Sequence, residues 1–347
     1  MDQTWQQAWD VGLVFIAWLQ TTYPQLEGFF YLITNLGQEE FYLLVFPLIF
    51  WCVHKQLGKQ LGYLFLFTVF VNAIFKQAFR GPRPFWVDEA IGLDTREVGY
   101  GIPSGHTQYA TVIYFFIAAW VSRVWVWGLA VLLVFLIGLS RIYLGAHFVH
   151  DVIFGFLLGA LTLVGFALLQ NRYGEGFSKR ILGQRLMVMI WVPIIMGIIF
   201  IVVRLLIGAP DLAVPWADRI PEAELSSINA AAQAFGVLLG FGVGIVLEGS
   251  RVRFRVEGPV WKRVIRYLIG IAVLIAIWAG LRVAFAAIAP EDLLAVTIPL
   301  RILRYFLVVL WAAYYAPWLF VRLRLAEAEP EQAIDVSLRK GTNGSRP

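Results

Sequence analysis

Eight apolar runs, at 61–79, 105–121, 124–144, 148–169, 186–207, 228–247, 264–289 and 298–319, divide this chain into segments of bilayer-crossing length. A run of about 20 apolar residues spans the hydrocarbon core of a membrane. Within that core every backbone N–H and C=O must be paired inside the protein, so repeated runs of this length dictate helices. A ninth run, Phe41–Val53, is shorter and is read as a short span between Glu39–Glu40 and His54–Lys55. The expected fold is therefore all-α, a polytopic membrane helix bundle. Composition agrees: 60% of the 347 residues are hydrophobic and 15% charged, against roughly a quarter charged in a soluble domain. A soluble fold would expose too much apolar surface, and a disordered chain needs the opposite composition. The single cysteine, Cys52, excludes an internal disulfide framework and a multi-cysteine metal site.

The first forty residues are ambiguous. Segments 12–20 and 28–36 are apolar, but 21–27, with Pro24, interrupts them. They read as one broken span or two halves lying in the interface. The N-terminus lacks the basic stretch of a signal peptide, so this region is expected to persist in the mature protein. Alternating the loops across the membrane collects 18 of the 28 lysines and arginines on one side, including Lys55, Arg123, Lys179, Arg185, Arg253 and Arg322. That side is predicted to be cytoplasmic. The opposite loops carry Asp211, Asp218, Glu222, Glu224, Glu291 and Asp292. The net charge of +5 is thus read as basic cytoplasmic loops, not as a nucleic-acid surface. No internal repeat and no paired broken helices mark a transporter. The polar stretch from Ala326 onward reads as a disordered tail.

Three polar clusters interrupt the apolar text, all on the predicted outer side. Lys76, Arg83 and Pro84 lie at the exit of one run. Pro103, Ser104, Gly105 and His106 open the next. Ser140, Arg141, His147 and Asp151 bridge two more. Lys76, Arg83 and Arg141 can neutralise an oxyanion, the arginines as bidentate forks. Ser104 and Gly105 start a helix whose unpaired amides and positive dipole end suit an anion. His147 and Asp151, four apart, share a helix face. A carboxylate on one imidazole nitrogen leaves the other as nucleophile or base, and His106 is a second imidazole able to act as an acid. Each cluster alone has a plainer reading: a lipid-facing basic pair, a cap, a structural hydrogen bond. Their convergence on one side in successive loops does not.

The ordered pattern Lys76-x6-Arg83-Pro84, Pro103-Ser104-Gly105-His106, Ser140-Arg141-x5-His147-x3-Asp151 resembles the signature of the type-2 phosphatidic acid phosphatase superfamily of membrane lipid phosphate and undecaprenyl-diphosphate phosphatases. The resemblance covers roughly residues 38–170. It implies a core of about six helices, with His147 as the nucleophile that forms a phosphohistidine, Asp151 orienting it, and His106 protonating the leaving group. Lys76, Arg83, Ser104, Gly105 and Arg141 would cradle the phosphate. No metal or other cofactor is implied. The substrate would be a phosphorylated lipid, a phosphate monoester or diphosphate. The setting would be a bacterial cytoplasmic membrane, with the site facing outward. A phosphotransferase using the same phosphohistidine, and a lipid transporter or binding protein, remain alternatives. The expected layout is an N-terminal interfacial or broken segment at 1–37, the core at 38–170, about four additional transmembrane helices at 171–325, and the tail at 326–347. His150 and His54 are expected to stand outside the chemistry.

Arg204, Arg282, Arg301 and Arg304 fall inside apolar runs near their outer ends. Two readings are open. They snorkel to head groups or pair with Asp211, Glu291 or Asp292, or they form a second anionic patch beside the catalytic face.

Overall fold

The computed structural model describes residues 3–288 and 293–329. Helix α1 (Gln3–Thr22) and the short α2 (Glu27–Asn35) are separated by a break at Pro24–Leu26. Helix α3 (Glu39–Leu48) continues through a wider turn, Ile49–Val53, into α4 (Lys55–Phe79). A single turn, α5 (Pro84–Val87), precedes a long loop. Helices α6 (Gly105–Val121), α7 (Val124–Tyr143) and α8 (Val149–Ser178) complete the first half. The second half comprises α9 (Leu182–Ile207), α10 (Ile220–Leu247), α11 (Val260–Ile288), α12 (Leu294–Leu310) and α13 (Ala316–Arg322). Among the described residues, seven helical segments are long and apolar enough to cross a membrane, and the 17-residue α6 is just shorter. Among the described residues the only β pairing is an isolated bridge between Phe254 and Ala328. The chain is an all-α integral membrane protein.

The helix ends are written locally. Arg80 closes α4 in a left-handed conformation (φ 47°) and donates its N–H to the Lys76 carbonyl. The following Gly81-Pro82-Arg83-Pro84 cannot continue a helix. Ser104 caps α6 in extended conformation, and Ser122 ends it at φ 54°. Helix α8 runs to Ser178, further than its apolar run suggested, because the polar residues 170–178 extend it beyond the hydrophobic stretch.

Helix α6 packs against α4, α7 and α8, and α1 and α2 lean on α7. Helix α10 is the hub of the second half, against α9, α12 and α4. In lipid, apolar burial gives helices little reason to associate, so small residues that admit close packing matter more. On α10, Gly236 and Gly240 face the α12 backbone: a Cβ would stand 2.5 Å from the Ile302 carbonyl oxygen and from the Phe306 carbonyl oxygen, respectively. The seam between halves buries Phe65, Phe70 and Tyr109 with Leu238 and Phe241. Its two ends are ionic. At one, Glu224 of α10 meets Arg80 at 2.9 Å; at the other, buried Glu248 takes both Lys55 and Lys59 at 2.7 Å.

Residues 326–329, the first four of the expected tail, are ordered against the α10–α11 loop. The Arg255 N–H donates to the Glu327 carbonyl, and the Glu329 N–H to the Arg253 carbonyl. The rest of that tail, and the loop acids Glu291 and Asp292, lie outside the described residues.

Candidate active site

Four helix ends and one loop build the site. Arg83, fixed between two prolines, is fully buried. Its Nε donates to the Gly99 carbonyl at 2.6 Å, and one Nη donates to the Ala146 carbonyl at 3.0 Å. The same Nη1 lies 3.3 Å from Nε2 of His147. Arg141, at the end of α7, is also fully buried. It donates to Thr34 Oγ1 at 2.8 Å and lies 3.3 Å from Asp94 Oδ2. His147 Nδ1 stands 3.4 Å from Asp151 Oδ2, and that oxygen also accepts the Phe148 N–H at 2.9 Å. Asp151 is thereby fixed as a cap of α8 while it faces the imidazole. Its backbone carbonyl accepts the Ser104 N–H at 3.0 Å, which ties the start of α8 to the start of α6. The approach is close because Gly155 of α8 faces Ser104: a Cβ there would lie 2.5 Å from the Ser104 carbonyl oxygen.

At the centre lies a residue that the sequence reading missed, Glu97. One carboxylate oxygen accepts from Arg83 Nη2 at 2.7 Å; the other accepts from Arg141 and lies 3.6 Å from His106 Nδ1. Burial pushes the Glu97 carboxyl up, but Arg83, Arg141, His106 and Lys76 together hold it well below the ordinary carboxylate range. Asp94 is likewise held low: burial opposes it, while hydrogen bonding to Arg96 and the charge of Arg141 prevail. Burial pushes the His147 imidazole well below its ordinary value, and Arg83 adds to this. His147 is therefore neutral at physiological pH.

A cavity of about 420 Å³ opens on this cluster, lined by Glu39, Lys76, Glu97, Gly105, His106 and Tyr109. Its neighbour of about 290 Å³ shares Lys76 and Glu97 and adds Arg83 and Tyr100. The structure thus gathers Lys76, Arg83, Gly105, His106, Arg141, His147 and Asp151 around Glu97. Ser104, fully buried, accepts from the Thr107 hydroxyl at 3.1 Å. His150 is closer than expected, 3.3 Å from the other Asp151 oxygen and stacked on Phe148. His54 sits at the far end of α4, where Nδ1 accepts the Leu57 N–H.

The intramembrane arginines are not gathered around one partner. Arg204 pairs with Glu224, Arg282 lies over the Trp278 ring and Arg304 over the Tyr305 ring. Arg301 is one turn from Arg304 on α12. Glu224 links the second half to the site: it accepts the Tyr100 hydroxyl at 2.7 Å, and the Tyr100 carbonyl accepts from Arg83 at 3.2 Å. Thr34, Asp94, Glu97 and Glu224 carry no motif. The available signal was the run of acids between the first two basic clusters, Asp88, Glu89, Asp94 and Glu97.

Residues 57–175 match the family described as PAP2 superfamily, and residues 232–328 match PAP2 superfamily phosphatase, transmembrane extension. The chain is 34% identical to human (Homo sapiens) sphingosine-1-phosphate phosphatase 2 over 136 residues, 37% of this chain and 34% of that protein. It is 28% identical to lipid phosphate phosphatase delta of Arabidopsis thaliana over 153 residues, 40% of this chain and 37% of that one. It is also 28% identical to glucose-6-phosphatase 3 of Rattus norvegicus over 267 residues, 66% of this chain and 75% of that one. The chain spans about a third of the length of the sphingosine-1-phosphate and lipid phosphate phosphatases it matches. No solved structure matches it. The basic, histidine-bearing loops fall within the first match and the glycine-faced hub helix largely within the second, so the chain carries a PAP2 superfamily domain followed by that superfamily's transmembrane extension.

Proposed function

We propose that this protein is a membrane phosphatase that hydrolyses a lipid phosphate monoester or diphosphate through a phosphohistidine. The observation that carries this reading is Glu97: an oxyanion held by Arg83, Arg141 and His106, beside an imidazole whose Nε2 is 3.3 Å from Arg83. A phosphate entering this cradle takes the place of that carboxylate. Its charge is met by Lys76, Arg83 and Arg141, which supply the stabilisation that a metal supplies elsewhere. Neutral His147 attacks phosphorus with the Nε2 lone pair, and the bond to the leaving oxygen breaks. Asp151 at Nδ1 stabilises the positive charge that develops on the ring. His106 protonates the leaving oxygen, then takes a proton from the water that cleaves the P–N bond and releases phosphate.

A lipid substrate is supported by the relatives named for sphingosine-1-phosphate and lipid phosphates. It is also supported by an apolar cavity of about 290 Å³ across Tyr100, walled by Trp9, Phe79, Val214 and Trp216. The charge distribution supports a site on the extracytoplasmic side. The test is phosphate release by purified protein in detergent from sphingosine-1-phosphate, phosphatidic acid, a polyprenyl diphosphate and glucose 6-phosphate. Release that persists in EDTA and is abolished by His147→Ala is expected. Turnover only with an added alcohol acceptor would instead mark a phosphotransferase. Turnover undiminished in His147→Ala would refute the mechanism.

A further inference from the structure

The end of the bundle opposite the catalytic cluster holds a second cationic cavity. It lies at the start of α4, about 32 Å along that helix from Lys76 at 1.5 Å per residue, so nothing bound there reaches His147. Its volume is about 460 Å³, within the range of ligand-sized pockets. Lys55, Lys59, Arg185, Arg253, Arg255 and Arg263 line it, drawn from both halves of the protein. The α10–α11 loop explains part of this. In Arg251-Val252-Arg253-Phe254-Arg255-Val256 the apolar residues are buried in a cluster with Trp51 and Phe320, which turns the arginines outward.

Three carboxylates accompany the six cations. Glu248, beneath the cavity, is shared by Lys55 and Lys59, while Glu257 and Glu329 line it. Lys59 and Arg185 converge: a Cβ on Gly249 would lie 3.7 Å from Lys59 Nζ and 3.7 Å from Arg185 Nη2. Nε of Arg185 is buried with no hydrogen-bond partner among the described residues. Ordinary basic loops spread their charges into water or toward lipid. Here, among the described residues, six cations against three carboxylates leave a surplus focused on one concavity, which a guest anion can balance.

We propose that this cavity is a second anion site, distinct from the catalytic one, that binds a phosphate-bearing group supplied by a lipid head group of the adjacent leaflet or by a soluble diphosphate. Because its cations come from α4, α9, α11 and the α10–α11 loop, an occupant joins the core to the extension.

The test places a reporter in the cavity. Gln56→Cys, in a Cys52→Ser background, carries an environment-sensitive dye on protein in phosphatidylcholine nanodiscs. One arm raises the phosphatidylglycerol fraction; the other adds methylenediphosphonate to the buffer. A saturable dye response in the first arm identifies a head group, and in the second a soluble ligand; either supports the site. Arg185→Gln with Arg255→Gln, in protein that retains phosphatase activity, is expected to weaken the response about thirtyfold, at about 1 kcal/mol per cation. Arg255→Gln alone, at an exposed position, is expected to weaken it about fivefold by the same reckoning. No saturable response in either arm, or one that survives both variants unweakened, overturns the proposal.

Discussion

Glu97→Gln keeps the side chain's shape and removes the one charge shared by Arg83 and Arg141. Both arginine side chains are 0% exposed, and Glu97 is 28% exposed. Removing one partner of a buried ion pair costs about 3–5 kcal/mol. Two features favour the lower end. Glu97 is partly hydrated, and Asp94 remains 3.3 Å from Arg141. For a chain of 347 residues, a loss of about 3 kcal/mol corresponds to a melting temperature lower by roughly 4 °C. An oxyanion can restore the missing charge: orthovanadate at a hundred times its Kd returns about 2.7 kcal/mol. In the parent protein vanadate must first displace Glu97, so the parent gains less. The assay is thermal melting in detergent, followed by tryptophan fluorescence, with and without orthovanadate. The variant should melt lower without the anion and recover more with it. Equal vanadate gains in both proteins, or an unchanged melting point in the variant, would refute the idea that Glu97 stands where phosphate binds.

Acid should destabilise the protein. His147 is held below its unfolded value, so between the two values the unfolded chain binds the extra proton and stability falls as pH drops below about 6.5. Glu97 adds stability above its unfolded value that is lost as pH falls through its lower folded one. Melting curves of His147→Gln should be flatter between pH 6.5 and 5, by up to about 1.4 kcal/mol per pH unit. Glu224→Gln should lower stability by about 2–3 kcal/mol, since Arg80 and Glu224 are 9% and 11% exposed, and should lower kcat through Tyr100; full activity with normal melting would remove Glu224 as a support of the site. Gly240→Leu should prevent assembly of α10 on α12, read as loss of the monodisperse peak in gel filtration. Cysteines at Ala90 and Gln184, in a Cys52→Ser background, should label from opposite sides of the membrane with an impermeant reagent; outside labelling of Gln184→Cys would reverse the orientation.

The spans were legible because a bilayer leaves the chain few options: apolar length alone finds α4 and α7 through α12. The motif residues were legible as a group because a lipid-bound sequence carries few cations and imidazoles, and the fold draws these few together around Glu97. Glu97 was hidden for the opposite reason. A carboxylate in a polar loop looks like solvated surface, and only folding brings it between Arg83 and Arg141. Arg204 misled in a similar way. Its depth in an apolar run suggested a ligand patch or a nearby loop acid, whereas its partner Glu224 is twenty residues on, in the next helix. Pairing across helices leaves no periodic trace in a single sequence.

Glu224 and Glu248 act on α10 as two rivets. They are 24 residues apart, about 36 Å along the helix axis. On α4 their counterparts, Arg80 at one end and Lys55 with Lys59 at the other, are separated by about 32–38 Å on the same scale. The two rods are fastened at matching lengths. Sliding one past the other by a single residue, about 1.5 Å, strains both fastenings at once. A piston or elevator stroke between core and extension would have to break both. The scaffold on either side of the 88–100 loop, which carries Glu97, is thereby held in register.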